Sequence, residues 1–280
     1  MKKIILVVLL VAIAGVAGIV RSYSKSGGRL EWPVKVHAQT ASSGDVREEI
    51  RKSFELSPGA RVEVSGINGA VKIETSNTRT ADIYIERTGA SSEALSRRKI
   101  VIESTPDKLV IRGEKGDSGI MSRIFGSSPK EQVTLKLPRQ IALSTNGING
   151  SVKVGEIDGP VDVSGINGRV EIAQASGSAD FSGINGSVSV SLKSLGKDGI
   201  DISGINGNIE LRLGDGVNAD LEAHGMNGSV ISELPSVVVD KSSRGNYSAR
   251  IGAGGNSISA SGINGNIRLT RMAGVDDRIG

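Results

Sequence analysis

"VDVSGINGRVEIA" occupies residues 161–173, and the reading of its middle decides the fold. Val161 and Val163 alternate with polar residues, the period of a strand with one buried face. Beyond Ser164-Gly165 the apolar positions resume at Ile166, Val170 and Ile172, out of step with the first pair. A glycine at a break in parity is what a corner requires, because the chain turns while its side chains keep facing one core. The rival frame makes the pentapeptide a β-hairpin tip, for which Asn-Gly is the strongest short signal. That frame exposes a large apolar side chain at every copy, where burying each is worth about 1.5–3 kcal/mol. A corner is therefore expected, with an antiparallel meander of hairpins as the alternative.

The pentapeptide recurs. "SGING" stands at 65–69, 164–168, 182–186, 203–207 and 261–265, with the variants "NGING" at 146–150 and "HGMNG" at 224–228. From Gly147 onward the motif glycines are separated by 18, 18, 21, 21 and 37 residues, the signature of an array. The widest gap has room for a degenerate copy around "SSRGNYSARIG" (242–252). The expected fold is all-β, a repetitive β-solenoid (β-helix-like) with rungs of 18–21 residues. Ile67, Ile148, Ile166, Ile184, Ile205, Met226 and Ile263 then stack in one internal column, rung upon rung at about 4.8 Å. The expected repeat corners are Gly66 with Asn68, Gly147 with Asn149, Gly165 with Asn167, Gly183 with Asn185, Gly204 with Asn206, Gly225 with Asn227, and Gly262 with Asn264. One asparagine per rung at an equivalent place allows an amide ladder like those of cross-β assemblies. Ser164, Ser182 and Ser203 form a parallel row in the same frame. A row of asparagines that binds a ligand is the functional alternative.

Four further stretches set the organisation. "RVEV" (61–64), "AVKIE" (70–74), "DIYIE" (82–86), "KIVIE" (99–103), "KLVIR" (108–112) and "VTLKL" (133–137) alternate as strands, and "SSEALSRRK" (91–99) reads as a short helix. Residues 46–140 are thus expected as an irregular strand region of the solenoid, 141–271 as its regular part and 272–280 as a polar tail. Between Arg112 and Gln132 a loop carries Ile120, Met121, Ile124 and Phe125 at its centre, a contact point or a patch folded onto the body. The carboxyl end, "RLTRMAGVDDRIG" (268–280), reads as the open end of the array, guarded by Arg271, Asp276, Asp277 and Arg278.

The amino terminus speaks of compartment. "MKK" precedes the uncharged apolar run "IILVVLLVAIAGVAGIV" at 4–20, an export signal. Residues 1–22 are expected as a hydrophobic helix, either a cleaved signal peptide or a membrane anchor. Residues 23–45, rich in Ser, Gly and charge, read as a flexible tether. Either fate places the body in the periplasm or at the cell surface.

Composition excludes several functions. The chain of 280 residues holds 38 glycines but only one Trp, three Tyr and three Phe, so turns are many and the core is aliphatic. Residues 1–38 carry six basic residues against Glu31, a net of +5, so the whole chain's +4 leaves −1 on the body. A body without basic charge or aromatic platforms does not suit nucleic acid. Absence of cysteine excludes disulfides, thiolate metal sites and a lipid-modified cysteine. His37 and His224 are the only histidines, and no catalytic triad, metal triad or cofactor motif can be assembled. "SLGK" (194–197) has acylating-enzyme spacing without its partner motifs. The Gly-x-x-Gly frame resembles an RNA-binding clamp without the flanking helices, and "NGS" at 149–151, 185–187 and 227–229 matches the glycosylation sequon only because Ser follows the corner. Acidic residues such as Asp158, Asp180, Asp198, Asp201 and Asp215 are read as lying mostly in the turns between rungs, as solvated carboxylates, with calcium as the alternative.

The run of "VxVSGINGxVxI" units, "LKLPRQIALSTNGINGSVKV" (135–154) and "IGAGGNSISASGINGNIRLTR" (251–271) resemble the bacterial family of unknown function named putative adhesin. The resemblance spans about residues 46–271 and implies an exported β-repeat protein without catalytic residues. The chain lacks a wall-sorting tail, an RGD-like tripeptide and an aromatic sugar platform. The expectation is a non-enzymatic envelope scaffold whose partner is another envelope protein or a second copy, with no cofactor. The alternative is a glycan- or ion-binding module that uses the Asn and Asp rows.

Overall fold

The computed structural model describes residues 39–40, 45–116 and 128–272. The apolar leader, nearly all of the tether, the apolar centre of the 112–132 loop and residues 273–280 lie outside the described residues. In chain order the elements are β1 (Gln39–Thr40), β2 (Val46–Glu55), β3 (Ala60–Ser65), β4 (Val71–Ser76), β5 (Thr80–Gly89), α1 (Ser92–Ser96), β6 (Arg98–Thr105), β7 (Lys108–Lys115) and β8 (Lys130–Pro138). The repeats follow as β9 (Ile141–Asn146), β10 (Val152–Ile157), β11 (Val161–Ser164), β12 (Val170–Ala175), β13 (Ala179–Ser182), β14 (Val188–Leu192), β15 (Ile200–Ser203) and β16 (Ile209–Leu213). The chain ends with β17 (Ala219–His224), β18 (Val230–Ser232), β19 (Val239–Ser243), β20 (Asn246–Ile251), β21 (Asn256–Ser261) and β22 (Ile267–Arg271).

These strands make two eleven-stranded sheets. Sheet I runs β1-β2-β5-β8-β4-β10-β12-β14-β16-β22-β18, and sheet II runs β19-β20-β17-β21-β15-β13-β11-β9-β3-β7-β6. Every copy of the pentapeptide leads from a strand of sheet II to one of sheet I: β3 to β4, β9 to β10, β11 to β12, β13 to β14, β15 to β16, β17 to β18 and β21 to β22. Equivalent strands pair in parallel, as Val161, Asp162, Val163 and Ser164 do with Ala179, Asp180, Phe181 and Ser182. A pentapeptide that passes between sheets, with parallel neighbours on both sides, is not a hairpin tip. At the passages between the sheets Ile67, Ile148, Ile166, Ile184, Ile205 and Ile263 are 1% exposed and Met226 7%.

One apolar cluster draws on both sheets, and Phe181 is its largest fully buried side chain, set among mostly aliphatic neighbours. Strand residues at alternate positions enter it, as in the buried-exposed alternation of β11, β13 and β15. Antiparallel strands finish the sheets: β5, β2 and β1 beyond β8, β6 beyond β7, and β20 and β19 beyond β17.

The fold departs from the expectation in its order. The structure shows two large mixed sheets, not a closed solenoid whose rungs follow the sequence. β7 and β8 lie outside the first repeat, β7 beside β3 and β8 beside β4. At the other end β21 and β22 are inserted between the β15–β16 pair and the β17–β18 pair. The last repeat is therefore interior, and Arg271 belongs to an inner strand instead of guarding an open end. The stretch 242–252 is no degenerate repeat, since β19 and β20 form an antiparallel hairpin. The short helix covers only Ser92–Ser96, capped by Ser91 Oγ accepting from the Ala94 N–H, before β6 begins.

Candidate functional site

The repeated corner sets the backbone first. Gly165 has φ +61°, the left-handed region that costs glycine nothing. At the other end of the pentapeptide a Cβ on Gly168 would run into the Gly150 carbonyl oxygen of the neighbouring repeat, so only glycine lets the corners stack. Between them the Asn167 N–H donates to the Ile148 carbonyl at 2.9 Å, and the Gly168 N–H to the Asn185 carbonyl at 3.0 Å. Each corner thereby bonds to the one on either side.

The asparagine side chains continue that bonding. Nδ2 of Asn149 donates to Oδ1 of Asn68 at 3.0 Å, Asn167 to Asn149 at 3.0 Å, Asn185 to Asn167 at 3.1 Å and Asn206 to Asn185 at 3.2 Å. Asn264 then donates to Asn206, and Asn227 to Asn264, both at 3.0 Å. All seven residues of the sequence pattern are brought together, in spatial rather than sequence order. Ser164, Ser182, Ser203 and Ser261 hold equivalent register positions beside them, and Asn146 Nδ2 donates to Ser164 Oγ at 2.7 Å.

The ladder begins at a buried ion pair that pattern reading missed. Glu131 Oε2 accepts the Asn68 N–H at 2.9 Å, while Asn68 Nδ2 donates to the Pro129 carbonyl at 2.8 Å. Glu131 is fully buried and receives Arg98 Nε on Oε1 at 3.1 Å; Arg98 also donates to the Gly66 carbonyl. A second buried pair, Arg87 with Glu48 at 2.5 Å, ties β5 to β2, and Arg87 donates further to the carbonyls of Leu95 and Arg98. Both pairs were detectable in principle. Glu131 shares the parity of Val133, Leu135 and Leu137, and Arg87 that of Ile83 and Ile85, so each is a charge on a buried face.

The outer face of sheet II carries an acidic row. Asp162, Asp180 and Asp201 are register partners on adjacent strands, and none forms an ion pair among the described residues. Asp180 and Asp201 thus lie within strands, not in the turns expected for them. Partial burial, then the charges of Asp162 and Asp201, push the Asp180 carboxyl above its ordinary value. These residues, with Arg61 and Asp198, line a shallow hollow of about 650 Å³. On sheet I a hollow of about 460 Å³ mixes Arg169, Arg212 and Arg268 with Glu171 and Glu210. There the Arg212 guanidinium holds the Glu210 carboxyl below its usual range. Among the described residues no three acidic or histidine side chains converge as metal ligands. Among them, too, no helix is long and apolar enough to cross a membrane. His224 lies on the surface, 3.7 Å from Glu222.

Fold and site together define a repetitive all-β protein with stacked corners and long regular faces. Comparison with known protein families finds no matching family, and no curated protein matches the chain. Solved structures do resemble it. A putative cell adhesion protein from Clostridium sporogenes ATCC 15579 is 11% identical with a TM-score of 0.35, over 80% of this chain and 100% of that one. A putative adhesin from Bacteroides fragilis NCTC 9343 is 12% identical with a TM-score of 0.34, over 79% and 96%. A putative lipid binding protein from Parabacteroides distasonis ATCC 8503 is 12% identical with a TM-score of 0.24, over 80% and 95%.

Proposed function

We propose that this chain is a non-enzymatic, exported scaffold of the bacterial cell envelope, adhesin-like in acting through contacts along its faces and ends. Its parallel repeats act as a solenoid, residues 46–271 as one body, and residues 4–20 direct export and hold the body at the membrane where they are retained. The observation that carries the reading is the ladder. Seven asparagines, the obvious polar row, bond to one another, so they brace a surface instead of converging on a ligand. What remains outward is regular and extended, as in repeat proteins that bind other proteins. The partner is an envelope protein or a second copy. Cross-linking the full chain in intact cells, followed by affinity capture and mass spectrometry, tests this. A captured envelope protein or second copy is expected; no capture, with turnover of a substrate in a broad hydrolase screen, overturns it.

A second reading is supported by the acidic row. Three carboxylates in register, without an ion-pair partner among the described residues, attract counter-ions, and an ion bound to the folded state raises the melting temperature. A melting temperature unchanged across a calcium series at constant ionic strength eliminates that reading.

A further inference from the structure

The last repeat is laid down out of order. β21 pairs in parallel with β15 on one side and β17 on the other, and β22 with β16 and β18. Until residues 256–271 arrive, the protein therefore contains a slot two strands wide in depth, one in each sheet, between segments that the chain has already supplied. The slot is specific. Asp201 and Glu222 are both register partners of Ser259, so direct closure of β17 onto β15 would set two carboxylates opposite each other. With the arch in place Ser259 separates them, Arg268 stands opposite Glu210, and Asn264 joins Asn206 to Asn227 in the ladder.

The arch hangs on a glycine-rich connection. Gly252, Gly254 and Gly255 have φ of +59°, +76° and +131° between β20 and β21. Three bonds hold this connection: Ala253 N–H to Asn218 Oδ1 at 2.8 Å, Gly255 N–H to Asp220 Oδ2 at 3.0 Å and Gly254 N–H to the Ile251 carbonyl at 3.1 Å. Glycine hinges lose most order on opening and adopt the widest range of alternative paths.

We propose that the slot between the β15–β16 and β17–β18 pairs is an intermolecular binding site, filled in an assembled form by the β21–β22 arch of a second copy. Every copy carries the same arch, so a donated arch makes the bonds the resident one makes. Closed and exchanged forms then differ only at the hinge and in the entropy of association. One donor and one acceptor per copy allow a reciprocal pair or an open chain of copies. This deepens the self-association branch of the proposed function and rests on it for its physiological setting.

The absence of cysteine makes the test direct. Full-length Ser259→Cys and Glu222→Cys variants are mixed, carried through partial unfolding, refolded at high concentration and oxidised. Ser259 and Glu222 are register partners on adjacent strands, within disulfide reach. The expected result is a mixed disulfide between copies, several-fold above that of a Ser259→Cys and Asp162→Cys control, because β11 is three strands from β21. Yield equal to the control overturns the proposal. In parallel, deletion of Gly254 and Gly255 should shift sedimentation from one copy to two or more, and insertion of four glycines should shift it back. A folded, monomeric deletion variant also overturns the proposal, and where that variant fails to fold the cysteine pair decides. Envelope capture without the mixed disulfide removes arch exchange and leaves the scaffold reading standing.

Discussion

Ile184 and Asn185 are neighbours in one corner and face opposite ways. Ile184 is buried between the equivalent residues of adjacent repeats, so Ile184→Asp places an unpaired charge in the core. A loss of at least about 4 kcal/mol in denaturant unfolding is expected, against under about 0.5 kcal/mol for a tolerated surface change. Asn185 is exposed but gives one amide bond and receives another. Asn185→Ala should cost about 1–2 kcal/mol and Asn227→Ala, which ends the ladder, about half as much, measured in the same way. This scale was the most legible in the sequence. The parity break at Ser164-Gly165 and the pattern of six Ile-Asn-Gly and one Met-Asn-Gly contain both the buried column and the ladder, because like corners stacked in register must repeat like bonds.

At the scale of elements, charges on buried faces fix how irregular strands join regular ones. Glu131 in β8 terminates the ladder with Arg98 from β6, uniting strands far apart in the chain. Glu131→Ala leaves Arg98 and the Asn68 N–H without their acceptor and should destabilise by about 3–5 kcal/mol, while Glu131→Gln keeps an acceptor and restores part of that, read by thermal and denaturant unfolding. On sheet II the strands set Asp162, Asp180 and Asp201 in one row, with Arg61 and Asp198 beside them. Because folding raises the Asp180 pKa, the ionised carboxylate opposes the fold. Its contribution is most favourable below the ordinary value of about 4 and is lost as pH rises through the raised value. Asp180→Asn should therefore stabilise near neutrality by under about 1 kcal/mol, a bound that allows for solvent screening. The difference in melting temperature between the two proteins should vanish below about pH 4. The turns expected for Asp180 and Asp201 show where pattern reading fell short: alternation identifies a face, whereas the end of a short strand depends on its neighbours.

For the whole molecule, strand order was not legible. Local sequence states that a repeat exists at 256–271 and says nothing about which two repeats flank it. The Asp201, Ser259 and Glu222 row shows why, since the preference for the inserted order arises between residues up to 58 positions apart, as in the Asn206–Asn264 bond. The same holds for β7 and β8, which pair with β3 and β4 outside the first repeat, where Arg98 of β6 meets Glu131 of β8. Each sheet has a middle whose strands are paired on both sides, and the end strands of sheet I are short as well: β1 has two residues and β18 three. Native-state hydrogen exchange should accordingly be slowest in β11, β13 and β15 and fastest in β1, β18 and β19. Uniform protection along the stack would contradict this division.

The seven Asn-Gly bonds of the ladder, with Asn146-Gly147 as an eighth in the chain, are also sites of chemical ageing. Succinimide formation needs the glycine nitrogen to attack the asparagine side-chain carbon, with ammonia as the leaving group. At Gly168, Gly186, Gly207 and Gly265 that nitrogen is engaged, as Gly186 N–H is with the Asn206 carbonyl at 3.1 Å, and the departing amide of Asn185 is held by the Asn167 side chain. The bonds that align the corners thus protect their own covalent structure. Isoaspartate should accumulate only as fast as corners open, so old protein would carry in its covalent record which corner opens most often.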